Sequence, residues 1–224
     1  MELGDLLRFT HCGKTVFTLA DAEGPWCPVC GQKVRFALSN APVRIRSPIR
    51  DGHHASCCFL VTSHGGTASL SEEKDSELHV GISSSDGLVF SYTEFGVQRQ
   101  VQGWKQSIII PLVAPGNHIP DFKRKWDTQL GEFAALDIWT PDRFQEEREF
   151  GSCCYGFALG FINRMMTLQG KQSISRECFT SHYVLPRIES ASRYLSVFHH
   201  VRRHGYCGAE GNLEKLSDWN AYVS

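Results

Sequence analysis

No stretch of this 224-residue sequence reaches the roughly 18 consecutive apolar residues that carry a helix across a bilayer. The amino terminus, Met1-Glu2-Leu3-Gly4-Asp5, also lacks a basic region followed by an apolar run. A soluble intracellular protein, cytoplasmic or nuclear, is therefore expected, with no membrane span. Charge of one sign is missing too: 23 Lys and Arg stand against 24 Asp and Glu. No net field recruits nucleic acid or anionic lipid, so the expected partner or substrate is a protein or peptide. No internal repeat or low-complexity tract is apparent. Nine cysteines is an odd count. In a reducing compartment they read as metal ligands, core residues or reactive thiols rather than as a disulfide framework. With 42 % hydrophobic residues, the length suits one main domain of about 190 residues and a small appendage.

The first cysteines mark that appendage, residues 1–40. Trp26-Cys27-Pro28-Val29-Cys30-Gly31-Gln32 is a C-x-x-C knuckle, whose spacing lets two thiolates hold one ion while the glycine permits the tight turn. Upstream, Phe9-Thr10-His11-Cys12-Gly13-Lys14 has the form of a second zinc-ribbon knuckle in which Phe9 replaces the first cysteine and His11 is the available substitute. His11, Cys12, Cys27 and Cys30 are the candidate ligands of a structural zinc. Adjacent ligands are geometrically awkward, so His53, His54, Cys57 and Cys58 stand as alternatives for the fourth position. The competing reading is a metal-free, degenerate knuckle.

Residues 41–50, bounded by prolines and carrying three arginines, read as an extended connector with a solvated face. Cys57-Cys58-Phe59-Leu60-Val61 suits a buried strand that points its two cysteines to opposite faces. In Glu77-Leu78-His79-Val80-Gly81-Ile82 the apolar residues alternate, which puts His79 and Gly81 on the other face. Asp86-Gly87 signals a hairpin to Leu88-Val89-Phe90-Ser91-Tyr92. A two-residue turn places Glu94 opposite His79, whereas a three-residue loop brings Ser91 to the histidine's face. Ser107-Ile108-Ile109-Ile110-Pro111-Leu112 is a further strand ended or placed at an edge by its proline. Apolar residues at 122, 126, 130 and 133 make one stripe of a surface helix. Helices are also expected at 176–185 and 189–204, separated by Pro186, before a loosely held tail at 208–224.

Around one segment the remainder is organised: Gly151-Ser152-Cys153-Cys154-Tyr155-Gly156-Phe157-Ala158, continuing as an apolar helix to about residue 165. Apolar residues at 154, 157, 158, 161, 162 and 165 form the buried stripe, with Ser152 placed to cap the start. Cys154 thus lies in the first turn, where unpaired N–H groups and the helix dipole favour a thiolate. Cys153, about 100° round the helix, is expected toward its edge or solvent. The plain alternative makes Cys154 a small core residue.

The His79 strand with its Asp-Gly hairpin, followed by Cys154-Tyr155-Gly156-Phe157 opening an apolar helix, resembles the circularly permuted papain-like superfamily. That group includes permuted NlpC-type peptidases, lecithin:retinol acyltransferase-like enzymes and PPPDE domains. Over nearly the whole chain, including Cys27-Pro28-Val29-Cys30, Cys57-Cys58-Phe59-Leu60 and His79-Val80-Gly81-Ile82, the sequence resembles the makorin-2 opposite-strand protein family, which implies no particular activity. The expected fold is α+β: the small zinc-ribbon-like module read from the cysteines, then a domain over 41–207 that the superfamily resemblance, carried by roughly 55–165, implies to be permuted papain-like, with an antiparallel sheet packed against a central cysteine-bearing helix. It implies Cys154 as nucleophile and His79 as base. The ring-orienting position falls on Ser91, or on Glu94 in the other register. Two functions follow as expectations: a cysteine hydrolase or acyltransferase acting on an amide or thioester, or a non-catalytic pseudoenzyme that uses the same groove and the zinc module to bind a partner.

Overall fold

The computed structural model describes residues 3–21, 26–36, 41–63, 78–113, 121–145 and 153–208. In chain order the strands are β1 (Leu6–His11), β2 (Lys14–Leu19), β3 (Val43–Ile45), β4 (Ile49–Arg50), β5 (Cys58–Ser63), β6 (Leu78–Ser83), β7 (Val89–Thr93), β8 (Gly96–Gln100), β9 (Ser107–Pro111) and β10 (Cys207–Gly208). The helices are α1 (Phe122–Ala134), α2 (Cys154–Leu168), α3 (Arg176–Phe179) and α4 (Leu185–His204). Together they make a mixed α+β protein in which every strand pair among the described residues is antiparallel. The chain divides into two compact units, one built from 1–48 with 189–224 and the other from 49–188.

The first unit carries a sheet of order β10-β2-β1-β3. β1 and β2 form a hairpin whose two turn residues, Cys12 and Gly13, both have positive φ, 46° and 74°. This is the primed turn that matches the right-handed twist of paired strands. Phe9 therefore belongs to a strand, and the segment expected to be a second zinc knuckle is the tip of a hairpin. Tyr194, Val197, Phe198 and Val201 recur at helical spacing and pack on Leu6, Phe17 and Ile45. Each such buried side chain contributes about 1.5–3 kcal/mol. The Tyr194 hydroxyl donates to the Gly4 carbonyl. A domain boundary near residue 40 and a separate tail were expected; instead β10 and α4 close the amino-terminal sheet, and 209–224 lie outside the described residues.

The second unit holds a six-stranded sheet of order β4-β9-β5-β6-β7-β8. Consecutive apolar residues place β5 inside the sheet, with Phe59, Leu60 and Val61 all buried. Cys57 stands just before this strand at φ 57° and is buried like Cys58. Pro111 ends β9. α2 lies against β6 and β7 and buries Phe157, Ala158, Phe161, Ile162 and Met165. α1 packs on α2 through the expected stripe, of which Trp126, Leu130 and Phe133 are buried. The Trp126 ring meets Phe161 edge-on at 4.9 Å, and its Nε1 donates to the Ser83 carbonyl at 3.0 Å.

Two local outcomes differ from simple pattern reading. The β6–β7 ladder pairs Ile82 with Phe90 and Ser83 with Val89, which is the longer-loop register. Glu94 consequently sits in the exposed β7–β8 turn rather than opposite His79. Pro186 does not separate two helices. It is the second residue of α4, after a wide turn over Thr180–Val184 that lets the Leu185 N–H reach back to the Thr180 carbonyl. A proline near a helix start costs no donor that the helix was using, and the wide turn absorbs its ring.

Candidate functional site

Two constellations carry chemistry. In the first unit the ligand atoms of His11, Cys12, Cys27 and Cys30 all lie within 4.8 Å of one another. Cys12 Sγ is 3.9 Å from Cys27 Sγ, and Cys30 Sγ is 3.4 Å from His11 Nδ1. Tetrahedral zinc, with bonds of about 2.3 Å to sulfur and 2.0 Å to nitrogen, requires separations of roughly 3.8 Å and 3.5 Å. The observed spacings fall close to both. Neighbouring ligands become compatible because the left-handed Cys12 backbone turns its side chain away from the strand direction followed by His11. On the facing loop the Gly31 N–H bonds to the Cys27 carbonyl and the Cys27 N–H to the Gln32 carbonyl, both at 2.8 Å. Cys27 is buried against Phe9, Val16 and Val34. The cluster contains His11 as its fourth member and none of His53, His54, Cys57 or Cys58.

Electrostatics fit a cation there. Burial pushes the Cys27 thiol up, but the N–H groups of Cys30 and Val29 and contacts with Cys30 and His11 prevail and hold it at about 7. Desolvation and the neighbouring thiols of Cys27 and Cys30 push Cys12 up to about 11. Thiols packed this closely resist ionising together, and a bound divalent cation removes that conflict.

The second constellation is at the start of α2. Cys153 occupies the N-cap with extended backbone, and Ser152, the expected cap, lies outside the described residues. Only 7 % of Cys153 is exposed, whereas Cys154 is half-buried. This reverses the expectation that Cys153 faces outward. A helix that begins at Cys154 leaves the preceding residue under its first turn. Hydrogen bonding from the Cys154 thiol, the N–H groups of Gly156 and Tyr155 and the Arg176 guanidinium outweigh burial and bring Cys153 down to about 5. Cys154 moves the opposite way, raised first by Cys153 and then by burial, although the Val80 N–H favours its thiolate. The two thiols thus resist ionising together.

Val80 is the residue after His79. β6 ladders to β7 at Ile82 and Ser83, and toward its start the strand meets the Cys154 sulfur at Val80. His79 is half-buried opposite Thr62, with its ring 5.5 Å from that of Trp104. Trp104 Nε1 and the Ser91 hydroxyl both donate to Gln100 Oε1 at 2.9 Å, so the Ser91 proton is committed to that amide. Trp104, Gln100 and Arg176 are the neighbours that sequence reasoning did not single out. They stand in no recognisable spacing to Cys154 or His79, and only the observed β7–β8 pairing brings Gln100 beside Trp104 and Ser91.

The DUF4796 C-terminal family matches residues 42–201. MKRN2 opposite strand protein of Homo sapiens is 35 % identical over 202 residues, spanning 90 % of this chain and 87 % of the human protein. No solved structure matches. A match that covers both units at this identity places the chain in the family of MKRN2 opposite strand proteins, in keeping with the DUF4796 C-terminal match over 42–201.

Proposed function

We propose that this protein is a thiol-dependent hydrolase or acyltransferase of the permuted papain-like kind that also carries a structural zinc module. The observation that supports it is the packing of the Cys153-Cys154 helix start against the strand that bears His79. In this reading Cys154 Sγ attacks the acyl carbon of an amide or thioester, and His79 takes the thiol proton and passes it to the leaving amine or thiol. Water or a second nucleophile then releases the acyl group. The Cys154 backbone N–H stabilises the oxyanion. Ser91 and Gln100 act as positioning residues, because they fix Trp104 and Trp104 flanks the His79 ring. Glu94 takes no part. His11, Cys12, Cys27 and Cys30 would hold a zinc, which would supply a crosslink within the first unit.

The raised Cys154 thiol and the commitment of Ser91 to Gln100 favour a second reading, a non-catalytic binding protein on the same scaffold. Iodoacetamide labelling, followed by peptide mass analysis, separates the two. The enzyme reading expects Cys154→Ser to abolish selective labelling below pH 7 and His79→Ala to move labelling to higher pH. Cys153→Ser should speed it, because it removes the first cause of the raised Cys154 thiol. Reactivity equal to that of the remaining cysteines supports the binding protein, and loss of labelling only in Cys153→Ser overturns the Cys154 assignment.

A further inference from the structure

We infer that Arg176 gives the cysteine site a preference for substrates that carry a carboxylate close to the bond under attack. The inference rests on the thiol reading above and adds the substrate's charge. Arg176 opens α3, which is fixed by Ser175 at its N-cap, where the hydroxyl accepts the Cys178 N–H at 3.2 Å. Its guanidinium carbon lies 4.8 Å from the centroid of the Tyr155 ring. Tyr155 follows Cys154 directly in the first turn of α2, and from this stack the guanidinium charge favours the thiolate of Cys153 at the helix N-cap. The ring is itself held, because Tyr155 Oη hydrogen-bonds Thr180 Oγ1 and the ring meets Phe59 edge-on at 5.7 Å. Phe179 closes the group, 5.2 Å from Phe59.

Arginine suits this placement. It stacks flat on an aromatic face, stays charged at every relevant pH, and its fork of five N–H donors serves more than one acceptor at once, including a bidentate carboxylate. The neighbouring acid, Glu177, is exposed; its hydrogen bonds go to Ser175 and its own backbone N–H, and the Arg176 charge is the weakest of the influences on it. A positive charge half-buried next to a nucleophile attracts an anionic reagent more strongly than a neutral one of the same shape.

The test uses iodoacetate and iodoacetamide on the full chain. In both, a thiolate displaces iodide as the C–S bond forms, and the reagents differ mainly in charge. The rate ratio, acetate over acetamide, is measured for the peptide containing Cys153 and Cys154 in native and in denatured protein. The native ratio should exceed the denatured one roughly three- to tenfold at low salt and narrow as salt is raised. Arg176→Gln should return it to the denatured value, while Arg176→Lys, which keeps the charge, should retain most of it. Thermal melting confirms that both variants are folded. A ratio that is already at the denatured value, or that Arg176→Gln leaves unchanged, overturns the inference while the thiol reading stands. If neither reagent modifies the peptide in the native protein, the thiol reading falls and the inference with it.

Discussion

Substituting Gly81 with alanine tests whether the sheet is packed around His79 in the way described. A Cβ at position 81 would lie 2.9 Å from Val89 Cγ1, 3.0 Å from the Phe90 carbonyl oxygen and 3.0 Å from Trp104 Cη2. Val89 and Trp104 are buried, so neither has open space to retreat into. Forcing a methyl into such a site costs about 1–3 kcal/mol. Restricting the unfolded chain returns about 0.4–1 kcal/mol of that, for a net loss of about 1–2 kcal/mol. A unit of about 140 residues has an unfolding entropy near 0.3 kcal/mol/K, so its Tm should fall by about 3–7 °C. Gly131→Ala is the control. It lies within α1 with nothing within 4 Å of the added carbon, and should gain up to about 1 kcal/mol. Calorimetric melting of both variants reads the contrast. Shrinking Trp104 to phenylalanine should remove part of the Gly81→Ala penalty, a coupling of about 0.5–1.5 kcal/mol in a double-mutant cycle. A Gly81→Ala protein that melts at or above the parent would refute the argument.

Two further outcomes follow from contacts at named groups. Metal analysis of native protein should find about one zinc per chain, and Cys27→Ser should release it and speed amide exchange over 6–19 and 26–36 while β5 and β6 keep their protection. Zinc-free native protein would end that claim, and His11→Ala with undiminished zinc would remove the histidine from the ligand set. Asp127 accepts the Ser85 N–H at 2.7 Å and the Ser85 hydroxyl at 2.5 Å, tying α1 to the turn after β6. Asp127→Ala should cost about 1–3 kcal/mol, measured by urea unfolding, and an unchanged midpoint would show that this tether contributes nothing.

What could be read from the sequence depended on how local its cause was. Cys27-x-x-Cys30 is a local signal, since four residues and a glycine suffice to build the loop. His11 beside Cys12 looked unfavourable because the spacing of two neighbours on a strand says nothing of a primed turn at Cys12-Gly13, which redirects the second side chain. Alternation placed His79 and the strand correctly, but the register with β7 depends on the conformation of residues 84–88 and stayed open between two pairings. Helical periodicity found the apolar face of α2, yet a one-residue question at its start, which cysteine lies under the first turn, is finer than periodicity resolves. Pro186 was misread because a proline breaks a helix only where a backbone donor was needed. The pairing of Cys207 with Phe17 leaves no trace in either segment alone.

That last pairing makes the first unit discontinuous, with the whole of 49–188 lying between its two parts in sequence. Bringing Gly4 to Tyr194 through an unfolded intervening chain carries a closure cost of about 5 kcal/mol beyond a constant. Once 49–188 has condensed, the span to be closed is that of a folded body instead of a random coil, which lowers this cost. The two units are thus unequal in kinetic standing. The inserted one is continuous in sequence, while the outer one, with its Cys12-Gly13 hairpin, gains its last strand and its covering helix only from the carboxy-terminal part of the chain.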